Sequence, residues 1–131
     1  MTILDENILL SQRDQLRAWK IHFRQIGMEV GRSGMKDRND IIPLLHTLHS
    51  PTFFSCDHGF YRAQLRHAGY CLVWLDVLDN EAAVYIRRLL RHQAFRTQAQ
   101  RMGKIVRVRH SGVSYWQLYE RKERLVSRDE K

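Results

Sequence analysis

Apolar and polar positions follow two periods along this chain. The segments "TIL" at 2–4, "TFFSC" at 52–56 and "YCLVWL" at 70–75 are short apolar runs. Runs of that length, flanked by polar residues, predict strands buried on both faces. A helical period takes over between them. Leu16, Trp19, Phe23 and Ile26 recur at spacings of three and four after Ser11 and Asp14, which have capping-box spacing. The pattern predicts a helix from Ser11 to about Ile26, with Gly27 as its stop.

Further along, Met28 to Gly31 reads as a second short strand and residues 32–39 as a polar loop. "IIPLLHTLH" after Asp40 predicts a helix, with Pro43 confined to its first turn. Tyr61 to His67 predicts a short helix closed by Gly69. From Asn80 to about Phe95 a longer helix turns Ala82, Ala83, Ile86, Leu89 and Leu90 inward. "KIVRVRHSGVSYWQLY" predicts a terminal hairpin about Ser111-Gly112. Strands that alternate with helices, three of them apolar throughout, indicate an α/β fold. A mostly parallel sheet would carry helices on both faces, with a C-terminal β-hairpin. No repeat or Pro/Gly-rich linker divides the chain, so residues 1–120 read as one domain and 121–131 as a charged, flexible tail.

Composition narrows the setting. The chain has 131 residues, 44% of them hydrophobic, enough for a sizeable core. The longest apolar run, Tyr70 to Leu75, falls far short of the roughly 18 residues of a membrane helix. Acids stand where a secretory signal would carry bases, so the expected location is cytoplasmic, with no membrane partner. Cys56 and Cys71 match neither a disulfide framework nor a CxxC metal motif and read as reduced thiols.

Charge adds a partner. The net charge is +8, and residues 81–131 hold thirteen bases against five acids. Seventeen of the 22 bases are Arg, whose planar fork matches phosphate oxygens. Arg13, Arg17, Lys20 and Arg24 share one face of the first predicted helix, and Arg87, Arg88 and Arg91 the outer face of a later one. A nucleic acid is the expected partner. A homodimer is left open.

The acids supply candidate chemistry. Asp5, Asp57 and Asp76 each follow a predicted strand directly, and Asp40 opens a helix leading into the third strand. Parallel strands end along one edge, where α/β proteins keep their sites. Carboxylates gathered there repel unless a cation or proton joins them. Oxygen ligands without a Cys/His pattern indicate Mg²⁺ or Mn²⁺. Beside an Arg-rich surface, such an ion suits phosphodiester hydrolysis. Asp5 is the strongest ligand candidate, because the first predicted helix begins too late for it to be a cap. Asp57 is also a turn or cap candidate, as are Asp40 and Asp76. Glu6 and Asn7 are supporting candidates, and His58 is placed to touch substrate or a proton.

These residues resemble a known family. "ILDEN", the Arg-rich helix and "IGMEVGRSG" are similar to the start of the small PIN-like nucleases, whose first strand ends in Asp-Glu-Asn. "NDIIPLL" resembles their second acidic segment, and "TFFSCDHGFY" their strand followed by Thr-x-Asp-x-Asp-Phe. The resemblance spans about residues 2–110. It implies a PIN-like three-layer sandwich and a Mg²⁺- or Mn²⁺-dependent endoribonuclease, with relatives that act as toxins of toxin–antitoxin pairs. The implied metal acids are Asp5, then Asp37 or Asp40 with Asp40 preferred, and Asp57. Gly59 stands where the family pattern has a second Asp, so either one metal ligand is missing or Asp76 substitutes for it. The alternative is a catalytically impaired PIN-like module that binds nucleic acid or protein.

Overall fold

In the computed structural model, which describes residues 1–35 and 37–126, strands alternate with helices. The order is β1 (Thr2–Leu4), α1 (Leu10–Ala18), β2 (Arg24–Gln25), α2 (Arg38–His46), β3 (Thr52–Ser55) and β4 (Cys71–Leu75). Then follow α3 (Ala82–Arg91), α4 (Gln98–Arg101), β5 (Lys104–Arg109), β6 (Gly112–Gln117) and β7 (Arg124–Val126). All seven strands join one sheet in the order β2-β1-β3-β4-β5-β6-β7. The first five are parallel, and β5, β6 and β7 pair antiparallel. The hairpin expected at the C-terminus is β5–β6.

Strand pleating sends successive side chains to opposite faces, and each face has its own core. Leu4, Phe54, Val73 and Val106 pack with Leu16 of α1 and with Ala83, Ile86 and Leu89 of α3. Ile3, Phe53, Leu72 and Ile105 pack on the other face with Ile41 and Leu45 of α2. Helices thus cover both faces of an α/β sheet. Arg101 is a buried tie: its guanidinium donates to Thr52 Oγ1 at 2.9 Å and to the Phe95 carbonyl at 2.8 Å. Among the described residues, no helix is long and apolar enough to cross a membrane.

The first helix is half as long as its apolar period suggests. It ends at Ala18, and Lys20 takes the left-handed conformation with φ 63°. The Ile21 N–H then bonds the Leu16 carbonyl at 2.9 Å, and the Lys20 N–H bonds the Arg17 carbonyl at 2.9 Å. This paired closure is usually made with glycine at the left-handed position. Ser11 lies inside the helix and Leu9 is its N-cap, so the expected capping box is not used. Freed from the helix, the chain runs extended sooner, and the second strand is Arg24–Gln25 rather than Met28–Gly31. Lys20 and Arg24 therefore leave the helical face expected to carry them beside Arg13 and Arg17.

Other boundaries also move. The second helix starts at Arg38 with Asp37 as its N-cap, which places Pro43 in the helix interior. Two 3₁₀ turns, His58–Phe60 and Ala63–Leu65, replace the expected helix at 61–67. The late helix opens with a 3₁₀ turn at Asp79–Glu81 and stops at Arg91, short of Phe95. Part of the expected flexible tail, Arg124–Val126, forms the edge strand β7. Residues 121–123 of that tail lead into β7, and 127–131 lie outside the described residues.

Candidate functional site

The strand order reverses at β1. The chain leaves β1 through α1 to reach β2 on one side, then crosses through α2 on the opposite face to reach β3 on the other side. Open α/β sheets have a crevice at such a switch, beyond the C-terminal ends of the strands. Asp5 and Asp57 follow the two strands that border it.

Asp5 extends the β1 ladder, with its N–H bonded to the Phe54 carbonyl at 3.0 Å. Its side chain turns to the α2 face and is 2% exposed. Oδ2 accepts the Ser55 hydroxyl at 2.6 Å, and that hydroxyl oxygen accepts the Asp57 N–H at 3.0 Å. Oδ1 is buried and has no hydrogen-bond partner among the described residues. Burial, foremost, raises the Asp5 pKa above its ordinary value, and the Asp57 charge adds to this. The Ser55 hydroxyl acts the other way, as do the nearby backbone N–H groups of Glu6 and Asn7, neither of which makes a well-aligned hydrogen bond to Oδ1. Asp57, whose side chain is 47% exposed, caps the 3₁₀ turn by accepting the Gly59 N–H at 2.8 Å.

The rest of the acidic triplet ties down its surroundings. Glu6 accepts the Gly34 N–H at 2.9 Å and the Ser33 hydroxyl at 3.0 Å, fixing the loop before α2. Asn7 is exposed. Gln25 is buried beneath the triplet and donates to the carbonyls of Asp5 at 3.3 Å and Glu6 at 3.2 Å. Its own carbonyl accepts from Arg13 at 2.8 Å.

The other expected acids have different partners. Asp37 caps α2 by accepting the Asp40 N–H at 3.2 Å. Asp40 sits in the first turn, 3.9 Å from Arg32. Asp76 receives both Nη2 of Arg107 at 2.7 Å and Nε at 3.1 Å. Among the described residues, no three His, Cys, Asp or Glu side chains are grouped to hold a metal ion. The structure brings Asp5 and Asp57 together; it sets Asp40 and Asp76 against arginines. No protein-family model, curated protein or solved structure matches the chain.

The expected basic face is divided in the same way. Arg17 pairs with Asp14 at 3.1 Å and lies over the Phe23 ring. Arg87 lies 4.4 Å from the Trp19 ring centroid and Arg88 5.0 Å from that of Tyr85. Lys20, Arg24 and Arg91 are exposed. His58 is exposed beside Asp57, with Nδ1 4.0 Å from Oδ1. Cys56, close to Asp5, is raised to about 11 by burial and stays a thiol.

Two functional candidates were not visible in the sequence. Ser55 and Gln25 are neutral polar residues inside strands, and their partners lie 50 and 20 positions away. Their one sequence signal is a hydrogen-bonding side chain at a position due to be buried, which needs a partner somewhere.

The donors present fit a hard divalent cation held by two carboxylates. A buried carboxylate with an unpartnered oxygen costs free energy that a cation offsets. Mg²⁺ is commonly bound by one or two carboxylates, its other positions going to water and phosphate oxygens. Asp5 and Asp57 suit that pattern.

Proposed function

We propose that this chain is a Mg²⁺- or Mn²⁺-dependent endoribonuclease of PIN-like type, with its site at the β1–β3 switch. One observation carries the reading: Asp5 is buried, lacks a partner for Oδ1, and stands beside Asp57 at the carboxyl edge of the sheet. Asp5 and Asp57 would hold the cation. When bound, the cation stabilises charge developing on the scissile phosphate. Ser55 fixes the Asp5 carboxylate, so that Oδ1 is the oxygen left for binding. His58 stands at the rim, where an imidazole can pass a proton to the leaving oxygen. The Arg-rich surface would hold the phosphate backbone. The toxin role belongs to the same proposal and rests on the family resemblance alone.

A second reading is a module that binds nucleic acid or protein without cutting it. The absence of a third acid beside Asp5 and Asp57 among the described residues favours it. Incubation of single-stranded and folded RNA with the protein in Mg²⁺, Mn²⁺ or chelator separates the two. Metal-dependent cleavage supports the nuclease, and intact RNA in all three conditions supports the binding module.

A further inference from the structure

α2 covers only the N-terminal half of its face of the sheet. There the row Ile3, Phe53, Leu72, Ile105 is fully apolar and buried. Two residues further along each strand lies a row of different chemistry: Asp5, Ser55, Trp74, Arg107. Ser55 pairs in register with Trp74, Trp74 with Arg107, and Arg107 with Ser114. The cover over this row is the turn after β3 rather than a helix. Tyr61 brings its ring to 5.9 Å from Trp74, and His58 to 6.0 Å.

Trp74 is half-buried, and the Arg107 guanidinium lies 4.6 Å from its ring centroid. Asp76 grips the guanidinium through two hydrogen bonds, which holds its plane in place. The Arg107 side chain remains 31% exposed and that of His58 80% exposed. The row and the turn over it together present an indole, a phenol, an imidazole and an oriented guanidinium, all with flat π faces. Such groups receive unpaired nucleobases, because every base has a π face and a guanidinium plane also stacks. A duplex cannot use them, since its bases stack on each other.

We propose that Trp74, with Arg107, Tyr61 and His58, forms a subsite that stacks an unpaired nucleobase of a single-stranded nucleic acid. The subsite sits one strand over from Ser55, so a strand bound there continues past Asp5 and Asp57. The inference rests on the proposed nuclease site for its substrate class, but it concerns binding and needs no metal.

The test is fluorescence anisotropy in chelator, with a labelled single-stranded RNA and a duplex of equal length. Wild type should prefer the single strand, and Trp74→Leu should weaken its binding about tenfold or more. Trp74→Phe, which keeps a ring, should stay within about threefold of wild type. Equal binding of single strand and duplex, or unchanged binding by Trp74→Leu, overturns the subsite. If Trp74→Leu does not fold, the Trp19→Phe, Trp116→Phe double variant leaves Trp74 as sole emitter. Its fluorescence should be quenched by single-stranded RNA, and no quenching also overturns the subsite. Cleavage without Trp74-dependent binding removes the subsite and keeps the nuclease. Trp74-dependent binding without cleavage in any metal does the reverse.

Discussion

Ser55 donates its hydroxyl proton to Asp5 Oδ2 over 2.6 Å, across the seam where the sheet order reverses. Both groups are buried, so removing the donor leaves a carboxylate oxygen without a partner. Ser55→Ala should cost about 1–3 kcal/mol of stability, measured by urea unfolding in chelator. The same variant should reduce stabilisation by Mn²⁺, because the Asp5 carboxylate loses its orientation.

Asp5 gives stability a pH dependence of defined sign. Its pKa is raised in the folded state, chiefly by burial, above the ordinary value of 3.8. The folded protein therefore holds this proton more tightly than the unfolded chain does. The resulting stabilisation is complete below 3.8 and is lost as pH rises through the folded value. Asp5→Asn removes the titration. In chelator, the stability of wild type relative to Asp5→Asn should increase as pH falls from 7 to 4. Urea denaturation at both pH values checks this, and a constant difference contradicts it.

The acids should separate under metal. Mn²⁺ should raise the melting temperature of wild type, since a ligand bound to the folded state stabilises it. Asp5→Asn and Asp57→Asn should abolish that rise. Asp40→Asn should keep it. Asp76→Asn should keep it too, while losing about 1 kcal/mol with the partly exposed Arg107 pair. Differential scanning calorimetry with and without Mn²⁺ reads all four variants.

Lys20 closes α1 at φ 63°, a conformation that costs a residue with a Cβ about 1 kcal/mol relative to glycine. Lys20→Gly should therefore stabilise the protein by up to about that amount in chemical denaturation.

Much of this was legible in the sequence. "TIL", "TFFSC" and "YCLVWL" read as buried strands because two covered faces demand unbroken apolar runs, and each became one. The convergence of Asp5 and Asp57 followed from both residues ending parallel strands. The end of α1 was hidden, because Leu16, Trp19, Phe23 and Ile26 keep a helical period while a lysine takes the left-handed position usually given to glycine. That hidden stop also displaced β2 and took Lys20 and Arg24 off the helix. Asp40 and Asp76 had the right local setting for ligands, but their arginine partners come from elsewhere in the chain. The stacking of Arg107 on Trp74 needed the β4–β5 register, which no local pattern specifies.

The most direct test is cleavage of a single-stranded RNA by wild type and Asp5→Asn side by side, in Mn²⁺ and in chelator. Cutting by wild type in Mn²⁺ alone, with none by a folded Asp5→Asn, is the predicted result. Undiminished cutting by Asp5→Asn, or no cutting by wild type in Mn²⁺, would contradict a cation site built on Asp5.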